Sequence, residues 1–324
     1  MTHAIRFHKI GGPEVLVWEE VQVGKPGPGE ARIRHTAVGL NFIDIYHRTG
    51  LYPMPLPSGL GGEGAGVVEE VGAGVTDLKP GDRVAYGNAP LGSYSEARLI
   101  PADRLLKLPE GIDDKTAAAM MLKGLTAQYL IRQTYRVKAG DTILLHAAAG
   151  GVGLILSQWA KHLGATVIGT VGSDDKAKLA QAHGCAHTIN YAKEDFVQRV
   201  DEITGGKKCP VVYDSVGKDT FMKSLDCLAP LGVLALFGQS SGAVEPFNLG
   251  LLAAKGSLYV TRPTLFTYAM KRENLVAMAN ELFDVVKSGV VKIEVNQTYP
   301  LKDAAKAHTD LAARKTTGST VFLV

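Results

Sequence analysis

The stretch that most narrows what this chain can become lies between residues 142 and 163. A β-type run, Thr142-Ile143-Leu144-Leu145-His146, leads into Ala147-Ala148-Ala149-Gly150-Gly151-Val152-Gly153. A helical pattern follows at once, with Leu154, Ile155, Trp159 and Leu163 on its apolar face. Laid on the fingerprint G-x-G-x-x-G, the turn reads Ala148-x-Gly150-x-x-Gly153. Gly150 lets the backbone approach a pyrophosphate, and Gly153 lets the helix pack closely on the strand. The helix N-terminus then presents unpaired N–H groups and a positive dipole end to the phosphates. A glycine triad alone also describes an ordinary tight βα turn; the order strand, turn, helix favours a dinucleotide.

The rest of the chain is consistent with that start. From residue 142 onward, apolar β runs (TVIGTV, HTIN, VVYDSV, VLALFG) alternate with helical periods at 174–183, 194–204 and 219–228. That rhythm predicts a parallel, doubly wound α/β sheet, buried on both faces. Before residue 125 the texture differs: short β runs at 31–37, 64–71, 83–86 and 93–99 are broken by Gly and Pro, with no sustained helical period until 115–122. This predicts a mostly β unit. After a β run at 257–260 and an amphipathic helix at 273–287, the final run STVFLV is expected to rejoin the first unit. The expected domains are 1–125 and 265–324 for the discontinuous β-rich one and 126–264 for the dinucleotide-binding one. Length supports two domains, and 37 glycines in 324 residues suit a chain with many tight turns.

The end of the second strand selects the cofactor. An NAD site places Asp or Glu there for the ribose 2′-OH. This chain has Val171-Gly172-Ser173, with Lys176 one turn later and Tyr191 closing the third strand. A hydroxyl, a cation and a phenol suit a 2′-phosphate, so NADPH is expected. The opposing reading has Asp174 or Asp175 on the ribose and Lys176 in solvent; Asp174 is read instead as a helix-starting residue.

Beyond the cradle, distinctive segments occur along nearly the whole chain. They are Gly11-Gly12-Pro13-Glu14-Val15-Leu16, Asn41-Phe42-Ile43-Asp44, Ser58-Gly59-Leu60-Gly61, Leu122-Lys123-Gly124-Leu125-Thr126, Val212-Tyr213-Asp214-Ser215-Val216-Gly217 and residues 256–263. With them the chain resembles the zinc-free, zeta-crystallin-like NADPH:quinone oxidoreductase branch of the medium-chain dehydrogenase/reductase superfamily. The resemblance implies a GroES-like catalytic domain and a Rossmann domain with the active-site cleft between them, usually in a dimer. Zinc-dependent relatives carry a Cys in the early loop, a Gly-His-Glu motif and a four-Cys lobe. Here the early loop has Asn41, the motif reads Gly61-Gly62-Glu63, and the only cysteines are Cys185, Cys209 and Cys227. Neither zinc site can be assembled from those pieces, so acceptors that take hydride without a Lewis acid, quinones and conjugated enones, are expected.

Hydride transfer is the cofactor's chemistry, and the protein holds the reactants and excludes water. Asn41, Tyr46 and Tyr52 are the candidate catalytic residues. The amide can hydrogen-bond cofactor or quinone oxygen; either phenol can stack on a flat acceptor or donate to the developing quinol oxygen. The competing reading packs the tyrosines in a loop with Pro53, Pro55 and Pro57, with Asp44 orienting that loop. By resemblance, Asn41, Phe42, Ile43, Asp44 and Tyr46 also border the cofactor, and Lys123 and Thr126 face its nicotinamide half. Val216, Phe237, Gly238, Gln239, Ser240, Thr261, Arg262 and Pro263 line the cleft, with further contacts from Tyr129 and Arg314. Lys123 read without the resemblance is a snorkelling surface lysine.

A net charge of +3 without a basic run argues against nucleic acid as a partner. The uncharged stretch from Thr142 to Ala160 is broken by Gly150, Gly151 and Gly153, so no membrane segment is expected. Three cysteines without a pairing framework and a start lacking a signal-peptide core point to the cytoplasm. The run at 257–260 reads as a sheet edge through which two copies would pair as a homodimer. Alternatives are an enone or alkenal reductase on the same scaffold and a non-catalytic NADPH-binding, crystallin-like protein.

Overall fold

The computed structural model describes residues 1–88 and 90–324. The chain divides into two compact units, Met1–Leu125 with Ala269–Phe283 and Ile293–Val324, and Thr126–Tyr268 with Asp284–Lys292.

The first unit is built on the long strand Glu30–Leu40. One edge pairs antiparallel with Glu63–Val71; the other pairs with Ala97–Pro101 along its first half and with Ser319–Leu323 along its second. The C-terminal strand is thereby part of this sheet, with Thr320 opposite Leu40 and Leu323 opposite Ala37. Alternation places Ala31 and Ile33 inward, where they pack with Val68, Val84, Tyr86 and Ile100. Each fully buried aliphatic side chain of that cluster contributes ~1.5–3 kcal/mol. A second cluster joins Phe7, Val38, Leu40, Tyr94 and Phe322 to Ala304 and Ala307 of the helix Ala304–Ala312.

One local expectation is corrected here. Residues 42–49 form a helix, Phe42–Thr49, where the sequence was read as a loop. The side chain of Asp44 accepts the Asn41 N–H at 2.9 Å, and Gly50 closes the other end at φ +80°. Those are the acidic half of a capping box and a left-handed C-terminal stop.

The second unit is a six-stranded, all-parallel sheet. Its spatial order is Cys185–Asn190, Thr166–Val171, Thr142–Leu145, Cys209–Asp214, Leu228–Leu236, Tyr259–Thr261, the doubly wound dinucleotide-binding order. Ile143, Leu144 and Leu145 are all fully buried, as a central parallel strand requires. The helices Gly151–His162, Asp174–Ala182, Phe196–Thr204 and Phe221–Asp226 follow their strands at the predicted places. The edge strand begins at Tyr259, two residues later than the sequence suggested, and exposes the Tyr259 ring.

Candidate active site

The phosphate turn opens from the first strand of the parallel sheet. Ala147 takes a left-handed conformation, φ +54°, and its carbonyl accepts the Gly150 N–H at 2.9 Å, which folds the turn back on itself. A Cβ on Gly153 would lie 2.5 and 2.6 Å from the carbonyl oxygens of Ala147 and Ala148, so only glycine permits this approach of helix to turn. On Gly150 the added carbon would meet a single atom, the Ala147 oxygen at 3.2 Å. The space in front of Gly150 is therefore open to a ligand, while Gly153 is closed against the chain itself. Gly151 and Val152 begin the helix, and its first turn carries no acidic residue to repel phosphate. Residues and geometry together fit a dinucleotide pyrophosphate.

A second corner forms at the ends of the neighbouring strands. Ser173 caps the helix Asp174–Ala182 by accepting the Lys176 backbone N–H at 3.3 Å. The cap is thus Ser173, with Asp174 one residue inside the helix. Tyr191 donates its backbone N–H to the Val171 carbonyl at 3.1 Å, and its phenol oxygen sits 2.6 Å from where a Gly172 Cβ would be. Gly172, Ser173 and Tyr191 therefore meet in one place, with Lys176 in the adjoining first helical turn. The Asp174 carboxylate accepts from Lys193 Nζ at 2.6 Å and Asn190 Nδ2 at 2.8 Å, and these partners hold it below the usual carboxylate range. It is turned toward its own partners, which weighs against the ribose reading of Asp174.

The remaining cofactor candidates of this unit sit at the carboxyl edge of the sheet. Val216 lies in the turn after Cys209–Asp214. Phe237, Gly238, Gln239 and Ser240 follow Leu228–Leu236, and the Ser240 and Ser241 N–H groups donate to the Ser215 and Val216 carbonyls at 3.1 and 2.9 Å. Thr261 ends the edge strand, Arg262 donates to the Leu236 carbonyl at 2.9 Å, and Pro263 is buried. Thr126 is buried. Tyr129 is enclosed, its ring stacked on Tyr268 at 4.5 Å, and burial raises its phenol pKa.

In the first unit, Asn41 stands at the N-terminus of the helix Phe42–Thr49, Tyr46 lies within it and Tyr52 follows it. Tyr46 packs edge-on against Tyr52 with centroids 5.2 Å apart, and the Tyr52 N–H donates to the Tyr46 carbonyl at 3.1 Å. Phe42 touches Tyr46 and Ile43 is half-buried beside it in sequence. Asn41 is 5% exposed and donates through Nδ2 to Glu63 Oε2 at 2.7 Å. The same oxygen accepts Lys123 Nζ at 2.9 Å, while Glu63 Oε1 accepts the Leu122 N–H at 2.7 Å. Lys123 is thus a buried cation, contrary to the surface reading. Sequence reasoning misses Glu63 as the anchor of this group. Its signal is a carboxylate embedded among glycine and apolar residues in Gly62-Glu63-Gly64-Ala65, where it needs internal donors. Arg314 is exposed in this unit, at φ +58° just after the helix Ala304–Ala312.

Asp44 lies in the first turn of the tyrosine helix and is fully buried. Its Oδ2 accepts from Asn41 N and Tyr94 Oη, and its Oδ1 has no hydrogen-bond partner among the described residues. Burial raises its pKa to about 7. Among the described residues, no three or more His, Cys, Asp or Glu side chains are grouped to hold a metal ion. No helix among them is long and apolar enough to cross a membrane.

Comparison with known proteins extends this picture. Residues 27–110 match the alcohol dehydrogenase GroES-like domain and residues 151–281 the zinc-binding dehydrogenase family. The chain is 60% identical to a quinone oxidoreductase of Pseudomonas aeruginosa over the full length of both proteins. It is 52% identical to a 2-haloacrylate reductase of a Burkholderia species, covering all of this chain and 99% of that one. The crystal structure of Escherichia coli quinone oxidoreductase complexed with NADPH superposes with a TM-score of 0.98, at 54% identity and full coverage of both chains.

Proposed function

Because the chain belongs to the quinone oxidoreductase family of medium-chain dehydrogenases/reductases, we propose that it catalyses the zinc-free, NADPH-dependent reduction of quinones. The observation that carries the reading is the corner of Gly172, Ser173, Tyr191 and the first helical turn with Lys176. It offers a cation and hydroxyl donors where an NAD site needs a carboxylate, while Asp174 is engaged by Lys193 and Asn190.

NADPH, when bound, supplies the hydride. The chain's own residues do the rest. Gly151, Val152 and Gly153 receive the pyrophosphate on backbone N–H groups of the first helical turn, Gly150 leaves room for it while its own N–H closes the turn on the Ala147 carbonyl, and Ser173, Lys176 and Tyr191 hold the 2′-phosphate. Lys123 and Thr126 face the nicotinamide half, and Val216, residues 237–240 and residues 261–263 line the cleft. In the first unit, Glu63 holds Asn41 and the Lys123 ammonium on one carboxylate oxygen, so an amide and a cation are fixed side by side. Tyr46 and Tyr52 offer a flat acceptor an aromatic wall and a phenol able to donate a hydrogen bond to the quinol oxygen as it forms. The chain acts in the cytoplasm as a homodimer paired through the edge strand Tyr259–Thr261.

The test of acceptor class is a comparison of initial NADPH oxidation rates with 1,4-benzoquinone, a naphthoquinone and a conjugated enone. Faster turnover with the quinones is expected. Faster turnover with the enone would move the function to double-bond reduction, the reading that the 2-haloacrylate reductase relative supports.

A further inference from the structure

Beneath the carboxyl ends of three adjacent strands of the parallel sheet runs a buried chain of polar side chains that the proposed chemistry does not use. Asp214, last residue of Cys209–Asp214, accepts four hydrogen bonds. Its Oδ1 takes the Val216 and Gly217 N–H groups at 2.7 and 3.1 Å; its Oδ2 takes the hydroxyls of Thr220 at 2.7 Å and Ser224 at 3.0 Å. Ser224 Oγ is also 2.9 Å from His146 Nε2, and His146 Nδ1 is 2.9 Å from Thr170 Oγ1.

The direction of each bond follows from counting hydrogens. Ser224 has one hydroxyl hydrogen, and Asp214 receives it. His146 Nε2 must therefore carry a hydrogen and donate to Ser224. Burial lowers the His146 pKa against the opposing pull of Asp214, which keeps the ring neutral. Nδ1 is then an acceptor, and Thr170 donates to it. The bonds run head to tail from Thr170 through His146 and Ser224 to Asp214. The residue types are those of a hydrolytic triad, but here the acid binds the serine rather than the imidazole. All three are at most 1% exposed, so no nucleophile is presented.

The placement of the chain gives it a different use. His146 joins the first strand to the left-handed Ala147 that begins the phosphate turn, and its N–H donates to the Tyr213 carbonyl at 3.0 Å. Asp214 sets the turn 215–217, against which the 237–241 segment is locked, since a Cβ on Gly238 would lie 2.6 Å from the Ser215 oxygen. We propose that Thr170, His146, Ser224 and Asp214 form a positioning device for the cofactor, holding the phosphate turn and the turn 215–217 in one fixed relation at the crevice of the sheet. The role rests on the NADPH reading above.

Three variants test it, read by NADPH fluorescence titration and by the ¹⁵N shifts of the His146 imidazole. In Ser224→Ala the His146 Nε2 hydrogen loses its acceptor, and the NADPH dissociation constant is expected to rise about tenfold, with Ser224→Thr restoring it. In Asp214→Asn the amide oxygen can keep Val216 and Gly217, while the amide nitrogen must donate to Thr220 and Ser224. Ser224 then donates to His146, whose hydrogen moves to Nδ1 and points at Thr170. Every group but the Thr170 hydroxyl hydrogen stays paired, so the fold is expected, with the imidazole tautomer reversed. An unchanged tautomer in Asp214→Asn would overturn the bond directions. NADPH bound by a folded Ser224→Ala variant as tightly as by the unsubstituted chain would overturn the positioning role alone. An unsubstituted chain that binds no NADPH would overturn the cofactor reading and the positioning role together.

Discussion

Lys176 and Asp44 carry the sharpest predictions at the scale of single residues. If Lys176 compensates the 2′-phosphate, Lys176→Ala should weaken NADPH binding by about 10–100-fold, the size of a lost charge-assisted hydrogen bond, and change NADH binding by less than about twofold. Parallel titrations with the two cofactors check this, and equal losses would remove Lys176 from the phosphate corner. Asp44 tests the buried face of the tyrosine helix. Its folded pKa is raised by burial to about 7, so the folded state binds the proton more tightly than the unfolded chain does. That stabilisation is complete below the unfolded value of ~3.9 and is lost as pH rises through about 7. His35 and His308 act in the opposite sense: burial lowers both to about 3, so their contribution is complete above ~6.5 and is lost on acidification. Asn at position 44 mimics the protonated acid and can keep its oxygen on Asn41 N and Tyr94 Oη. Asp44→Asn should therefore gain ~1–3 kcal/mol relative to the parent chain between pH 5 and pH 8 in denaturant melts. A difference that does not change with pH would mean that Asp44 does not titrate in that range.

Legibility in the sequence differed from one element to the next for identifiable reasons. The phosphate turn is local: strand, glycines and helix are contiguous, so its chemistry is written within about twenty residues. The helix Phe42–Thr49 is hidden by composition, because Phe42, Ile43, Ile45, Tyr46 and Thr49 are residue types that favour strands. Its true signals are at its ends, Asn41 with Asp44 and the terminal Gly50, and they outweigh the weak propensity of eight residues. The Glu63 anchor and the chain from Thr170 to Asp214 were illegible because their members are brought together only by tertiary structure; Glu63 and Lys123 are sixty residues apart. At the phosphate turn, Gly153→Ala forces a carbon to 2.5 Å from a backbone oxygen. It should cost ~1–3 kcal/mol of stability and abolish measurable NADPH binding. A folded Gly153→Ala variant with unchanged affinity would show that the close approach is not needed.

For the molecule as a whole, the fold class and the return of the C-terminal strand to the first sheet were readable, the former from strand-helix alternation and the latter from a β run left over once the parallel sheet was complete. The proposed dimer is tested at an exposed sheet edge: Tyr259 is 61% exposed on a strand whose outer side has no neighbouring strand among the described residues. Light scattering at micromolar concentration should give twice the 34.4 kDa chain mass, and a Pro at Val260 should halve it; a monomeric parent chain would contradict edge pairing. The account as a whole turns on NADPH serving a quinone without a metal. The most direct measurement is the initial rate with 1,4-benzoquinone on chelator-treated protein, with NADPH and NADH compared side by side. A rate that survives the chelator and favours NADPH by about tenfold or more is expected from a lost 2′-phosphate contact. Equal rates with the two cofactors, or a lost rate that zinc restores, would contradict it.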